Sequence, residues 1–245
     1  MARFIVVVLL IVMSAATVGL AGACGTQGGG EPQVGKLQRD SKSVDPKNAQ
    51  SARAQLKLGA GELNVTGGAD QLMEADFSYN VSGWKPKVEY DVSGQKGELV
   101  VKQGSTEGAG LSGEARNEWD IRFNDEVPTA LVVQMGAGES DLDLDSLTLT
   151  GLDLQMGAGK TTVDLTGDYT QGFDASIEGG VGEATVLLPS EVGVKARAEG
   201  GLGNINPVGL KKVGGSYVND AYGEADVVLN VEVQGGVGEI TLKVV

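Results

Sequence analysis

Residues 158–162 (AGKTT) place a lysine and two threonines directly after a glycine, which is how a phosphate-binding loop ends. Such a loop also needs a glycine five positions earlier and a helix after the threonine, so that backbone N–H groups and the helix dipole hold the phosphates. Here Leu154 stands at that earlier position, and TTVDLTG continues with the alternation of a strand. The same register reads GAGES and GVGEAT elsewhere. Lys160 is therefore predicted to be an ordinary turn residue, and no nucleotide is expected to bind.

Carboxylates recur nearby in a pattern that could attract calcium, at Glu139, Asp141, Asp143, Asp145, Asp153 and Asp164. Calcium takes six to eight oxygen ligands from clustered carboxylates and carbonyls. Alternate residues on one strand face lie about 6.8 Å apart, which is too far for one ion to span easily. A solvated strand face is the prediction and no metal is expected, with calcium bridging to an anionic surface as the alternative.

The chain has no histidine and one cysteine, which removes Ser/His/Asp and Cys/His catalysis and the usual zinc ligands. A carboxylate pair acting on polysaccharide, as in some β-helix enzymes, remains a remote alternative. Sugar sites usually stack substrate on aromatic rings, and few aromatic residues follow Ala130. Trp84 and Trp119 are predicted to pack in a core rather than to form ligand platforms. The chain is accordingly predicted not to be an enzyme and to need no cofactor.

The amino terminus has the form of an export signal. One positive charge at Arg3 precedes an apolar run over residues 4–23, which becomes rich in small residues just before Cys24. The segment LAGAC resembles a bacterial lipobox, with Leu20 four rather than three places before the cysteine. A signal peptide over 1–23 and a fatty acid, such as palmitate, on Cys24 are therefore predicted, placing the protein on the outer side of a bacterial cell membrane. A retained transmembrane segment and ordinary secretion are the alternatives.

Residues 24–50 are polar and contain a glycine triplet, so a flexible tether is predicted after the lipidated cysteine. The formal net charge of −14 disfavours nucleic acid as a partner. It also disfavours adhesion to anionic lipid or wall polymers. Its simplest interpretation is solubility.

Beyond Ala52 apolar and polar residues mostly alternate, as in DLDLD at 141–145, which indicates half-buried strands. Gly-x-Gly tripeptides begin at Gly59, Gly136, Gly157, Gly180, Gly201 and Gly236, each within alternating residues. Self-similarity at such intervals indicates a stacked architecture in which glycines let the backbone turn sharply. The prediction is an all-β, glycine-cornered β-solenoid over 126–245, preceded over 51–125 by a more irregular β region.

The segments LKLGAGELNVTGGADQLMEADFSYN, WKPKVEY and GELVVKQ resemble the toast-rack family of bacterial surface proteins, a group of candidate adhesin and envelope-response domains. The later glycine-cornered repeats are also similar to the carboxy-terminal domain of regulators that respond to cell-wall antibiotics. The resemblance covers about residues 40–245 and implies a β-helical fold and a surface location. It carries over no functional residues.

The leading hypothesis is a non-catalytic envelope lipoprotein that binds, adheres to or assembles with other envelope components or itself. An alternative is a lipoprotein that regulates the response to envelope stress through a membrane signalling partner.

Overall fold

The computed structural model describes residues 34–105 and 114–245, and within them the regular elements are strands apart from one turn of 3-10 helix at Ser82–Trp84. The strands are β1 (Val34–Val44), β2 (Ser51–Thr66), β3 (Met73–Val81), β4 (Lys87–Ser93), β5 (Lys96–Lys102), β6 (Asn117–Phe123), β7 (Thr129–Asp143), β8 (Leu149–Asp164), β9 (Asp174–Leu188), β10 (Gly193–Val208), β11 (Lys211–Val213), β12 (Ser216–Val218) and β13 (Val228–Val244). Across these residues we find no helix long and apolar enough to cross a membrane.

Six long strands form a parallel stack in the order β2, β7, β8, β9, β13 and β10. Each strand bends at its Gly-x-Gly tripeptide, which divides it into a first arm before the corner and a second arm after it. Alternation along β8 buries Leu152 and Leu154 on the first arm and Val163 on the second. The core therefore lies between the two arms, and the prediction of an all-β, glycine-cornered fold is confirmed.

The corners require glycine because successive strands approach one another closely there. Gly159 has φ +136°, and a Cβ added to it would lie 1.8 Å from the carbonyl oxygen of Gly138. Gly182 has φ +141°, and its Cβ would lie 1.7 Å from the oxygen of Gly159. A side chain would thus meet both a forbidden backbone conformation and the backbone of the next strand. The corner role predicted from sequence spacing is confirmed at these positions.

Two columns of inward side chains fill the corners with complementary volumes. The position before the corner holds, in stack order, Leu58, Met135, Met156, Gly179, Gly235 and Gly200, and the position after it holds Leu63, Ser140, Thr161, Ala184, Ile240 and Ile205. In β7 and β8 methionine faces a small hydroxyl residue, and in β13 and β10 glycine faces isoleucine, so these four pairs fill similar space. In β9 both members are small, and a cavity of about 40 Å³ lies at the corners of the last three strands.

The order of the stack departs from the order of the chain at its last two strands. β13, at the end of the chain, lies between β9 and β10 and pairs with both in parallel. The segment between the fifth and sixth tripeptides contains the β11–β12 hairpin, which lies on the side of β10 away from β13 before the chain returns to form β13. Buried Asn219 fixes this crossover, since its side chain donates to the carbonyls of Pro189 and Val192 and accepts from the N–H of Val194 and Tyr222.

The beginning of the stack is covered by antiparallel strands. The first arm of β2 pairs with β5, which in turn pairs with β4. The second arm of β2 pairs with β6, which pairs with β3, and β3 pairs with β1. Trp119 is fully buried and meets Phe77 edge to face with ring centroids 5.2 Å apart. Trp84 is 9% exposed, so the prediction that both tryptophans pack in the core is confirmed.

Strand pairing crosses two of the boundaries predicted from the sequence. β2 pairs with β7 from Ala52 to Val65, so the regions predicted at 51–125 and 126–245 share one sheet and no boundary separates them. The tether predicted over 24–50 also ends earlier, because residues 34–44 form β1 against β3. This strand forms with few apolar side chains because it is the outermost strand and is exposed along most of its length. Its backbone hydrogen bonds to β3 hold it in the sheet.

Candidate functional site

The lysine of the AGKTT segment lies at the corner of β8. Lys160 is exposed, pairs in register with Glu139 and Glu183 on the neighbouring strands, and is followed by strand residues. The helix dipole and the cradle of N–H groups that phosphate binding requires are therefore not formed here. Cys24, the predicted lipidation site, lies outside the described residues.

The aspartates lie on the outer face of the stack, as predicted, but cross-strand pairing brings some of them closer than their spacing along one strand. Asp143 on β7 is in register with Asp164 on β8, and Asp145 is the second residue after the end of β7. Partial burial, followed by the charge of Asp143, raises the pKa of Asp145. No group of three or more acidic, histidine or cysteine residues suited to a metal occurs in the described part of the chain.

The two ends of the glycine corner ladder are finished differently. At the first strand, the Gln103 side-chain oxygen accepts a hydrogen bond from the N–H of Gly59 at 2.8 Å. Asn117 donates to the carbonyl of Ala60 at 2.8 Å, and its own oxygen accepts from the Trp119 indole at 3.1 Å. Side-chain amides thus take the place of a preceding strand and satisfy the corner's backbone groups. We call this the capped end.

The other end of the stack is open. The β11–β12 hairpin pairs with β10 only at Lys195 and Ala196. Residues 198–208 have no strand on their outer edge among the residues described. They expose Leu202 to 72% and Val208 to 41%. Residues 200–210 (GGLGNINPVGL) carry no charge, in a chain of net charge −14. An unpaired, uncharged edge with apolar side chains is able to take up another strand.

An apolar ridge continues this open end onto the outer corner. The middle residue of the tripeptide is alanine in β2, β7 and β8, but it is Val181, Val237 and Leu202 in the last three strands. Val181 is 56% and Val237 46% exposed. The change from alanine to valine or leucine is visible in the sequence. The sequence does not show that these three residues lie together, because Val237 joins the ridge only through the insertion of β13 between β9 and β10.

The open edge and the ridge define a surface suited to recognition through strand addition and apolar contact, on a repetitive parallel scaffold. The family model described as the N-terminal domain of toast_rack matches residues 33–187, which is more than half of the chain. The chain therefore belongs to the toast-rack family, as the resemblance in its sequence implied.

One solved structure is similar in both sequence and fold. The crystal structure of a candidate cell adhesion protein from Clostridium sporogenes is 37% identical, with a TM-score of 0.84 over 86% of this chain and 100% of that one. A candidate adhesin from Bacteroides fragilis is 11% identical, with a TM-score of 0.29 over 86% of this chain and 99% of that one. A likeness that low carries no weight. No curated protein matches this chain.

Proposed function

We propose that this protein is an exported, lipid-anchored surface module that acts by adhesion, with the open end of its stack as the contact surface. The main observation behind this proposal is the contrast between the capped end and the open end of the stack. Gln103 and Asn117 satisfy the corner at the capped end, whereas β10 leaves its edge unpaired beside exposed Leu202. Edge strands of soluble proteins are usually blunted by charge, so a long uncharged edge indicates a surface that is covered in use.

A similar protein of known structure supports the same interpretation. The similar protein from Clostridium sporogenes is named a candidate cell adhesion protein. A lipid on Cys24 would hold the module outside the cytoplasm, since maturation of a lipoprotein supplies more than one acyl chain and hence a stable anchor. Adhesion requires a presented surface and no reacting groups, which agrees with a chain that has no histidine.

Site-specific photo-crosslinking in intact cells tests the proposed surface. A photoreactive residue replaces Leu202 on the open edge. A matched control replaces Leu37, an apolar residue of β1 at the capped end that is 37% exposed. We expect a discrete crosslinked product from position 202 and none from position 37. Equal yields at the two positions would overturn the assignment of the open end.

The mass of the product identifies the mode of action. Twice the monomer mass indicates assembly with a second copy, and a larger envelope protein or polymer indicates adhesion. A recurrent membrane signalling protein would instead favour the role in envelope-stress regulation.

A further inference from the structure

The charges of this protein are segregated along the stack. Residues 34–105, which include β2 and every covering strand except β6, contain ten lysines and arginines and nine carboxylates, a net charge of +1. Residues 114–245 contain eight basic residues and 22 carboxylates, a net charge of −14. The net charge of the whole chain hides this asymmetry. The expectation that anionic lipid is disfavoured was based on that average, so it does not apply to the capped end.

A groove at the capped end concentrates the positive charge. It runs between the end of β1 with its following turn and the start of β4, and its floor includes Val88 and Tyr90. Four lysines line it, Lys42, Lys47, Lys85 and Lys87, and all four are exposed. We call these four residues the lysine groove.

Two carboxylates, Asp45 and Glu89, also line the lysine groove, and a third, Asp40, interacts with one of its lysines. Asp40 accepts a hydrogen bond from the Tyr79 hydroxyl at 2.9 Å and lies 3.4 Å from the Lys85 ammonium. Glu89 lies 2.8 Å from Lys102, outside the groove. Within the described residues, Lys42, Lys47 and Lys87 form no salt bridge, and the four lysines outnumber the two carboxylates that line the groove, so the groove keeps a positive charge.

One groove lysine is held in an unusual conformation. Lys47 has φ +53°, the single non-glycine residue with positive φ among those described. Its N–H donates to the Asp45 side chain at 2.5 Å, and its ammonium lies 5.2 Å from the centre of the Tyr90 ring. The Tyr90 hydroxyl donates to the carbonyl of Pro46 at 2.9 Å, which fixes the turn on the ring. This turn therefore presents its lysine in a defined position rather than as a freely moving side chain.

The chain geometry brings this end to the membrane. β1 begins ten residues after Cys24, so an extended linker reaches at most about 35 Å. β1 is also the outermost strand of the covering layer and adds Lys36 and Arg39. An anchor at Cys24 would therefore join the membrane to the capped end of the stack, so that this end is the nearer one along the chain.

From these observations we infer that the lysine groove binds the anionic phosphate headgroups of the membrane and orients the stack upright, with its open end outward. The upright orientation rests on the lipid anchor of the proposed function. Binding of headgroups by the lysine groove does not depend on that anchor. Ammonium groups attract phosphate as point charges, and each one near an anionic surface strengthens binding about fivefold at moderate salt. The open end would then stand about 24 Å beyond β2, at roughly 4.8 Å per strand.

Vesicle binding tests the inference without the anchor. Residues 31–245 form one compact unit comparable in extent to the crystallised relative, so they are purified without Cys24. They are sedimented with vesicles of phosphatidylcholine alone or with about 30% phosphatidylglycerol. We expect binding only to the anionic vesicles, and weaker binding as salt rises, because exposed charges are screened.

Variants then locate the binding site. Replacing Lys42 and Lys87 together by glutamine is expected to weaken binding about 25-fold, at fivefold per lysine. The matched control replaces Lys160 and Lys195, two exposed lysines on β8 and β10, and should change binding less than twofold. Equal losses in both double variants, or no binding to anionic vesicles, would overturn the inference.

Lysine labelling supplies a readout that does not depend on a variant's folding. An amine-reactive reagent is added to the unmutated protein with anionic vesicles, and modified lysines are counted by mass spectrometry. Protection of the groove lysines but not of Lys160 supports the inference, and uniform labelling contradicts it. Neither result bears on Cys24 or on crosslinking at Leu202, so a failure here is distinguishable from a failure of the proposed function.

Discussion

At the scale of single residues, stability is decided where successive corners touch. Tripeptide glycines such as Gly159 and Gly182 exclude side chains by direct overlap with the strand beside them, and at four of the six corners the inward residues have complementary volumes. Two substitutions separate overlap from volume matching. Gly159→Ala adds an atom where there is no space, and Ala184→Ile adds atoms where space remains.

Gly159→Ala should lower the free energy of unfolding by more than about 3 kcal/mol, because backbone strain and steric overlap combine. The control is Gly68→Ala, where φ is +84° but no atom lies within 4 Å of the added Cβ. That variant should lose only about 1–2 kcal/mol, from strain alone. Urea denaturation of both proteins gives the comparison, and equal losses would show that the close approach of the corners is unimportant.

Ala184→Ile should stabilise the fold by about 1 kcal/mol, at roughly 24 cal/mol per Å³ of cavity filled. It recreates in β9 the glycine–isoleucine pairing that Gly235 and Ile240 make in β13. Ala175→Ile, in a filled part of the same strand, should instead destabilise it. A lower melting temperature for Ala184→Ile would mean that the corner of β9 has no room for the larger side chain.

At the scale of elements, contacts between strands that are distant in sequence create interactions that neither strand has alone. The second arms of β7 and β8 bring Asp143 and Asp164 into register, with Asp145 beside them. The loop before β10 and the segment before β13 meet at Asn219.

Asp145→Asn should stabilise the protein at pH 7. A carboxyl with a raised pKa in the folded state favours folding below its unfolded pKa of about 3.8 and opposes it as pH rises through the folded value. Neutral asparagine removes that opposition. Thermal melts from pH 3 to pH 8 should show an advantage at neutral pH that vanishes near pH 3. Asp168→Asn, on the loop after β8, is the control for removing an exposed carboxylate that is not beside Asp143.

Asn219→Ala should cost at least about 3 kcal/mol, because several buried backbone groups lose their partner at about 1–3 kcal/mol each. Asn64→Ala is the matched control, since its one side-chain hydrogen bond, to Asp120, is exposed. It should cost less than about 1 kcal/mol. Chemical denaturation compares the two, and a similar small loss in both would show that Asn219 does not hold the crossover.

At the scale of the whole molecule, the two ends of the stack have opposite properties. The capped end carries the lysine groove and the start of the chain, and the open end carries the uncharged edge of β10. An anchor at the amino terminus would therefore separate attachment from recognition.

Cys24→Ser should abolish fatty-acid labelling and either release the protein from membranes or leave a precursor that retains residues 1–23. The reason is that thioether attachment of lipid requires the cysteine sulfur. Metabolic labelling followed by membrane fractionation measures both effects. Persistent labelling of the serine variant would rule out lipidation at this position.

The sequence by itself determined the local structure of this protein. Period-two alternation predicted strands, and the spacing of the tripeptides predicted the corners, because both are consequences of backbone geometry that neighbouring residues dictate. Leu154 at the position of a required glycine was likewise enough to reject a phosphate loop at Lys160.

Only the tertiary structure decided which strands are neighbours. β1 folds from a segment with almost no apolar signal because β3 offers it an edge, and β13 enters between β9 and β10 although the chain reaches it last. The apolar ridge of Val181, Val237 and Leu202 and the lysine groove both follow from that order. They depend on pairings between distant segments, whose free energy is set by backbone hydrogen bonds and buried contacts that no local pattern records.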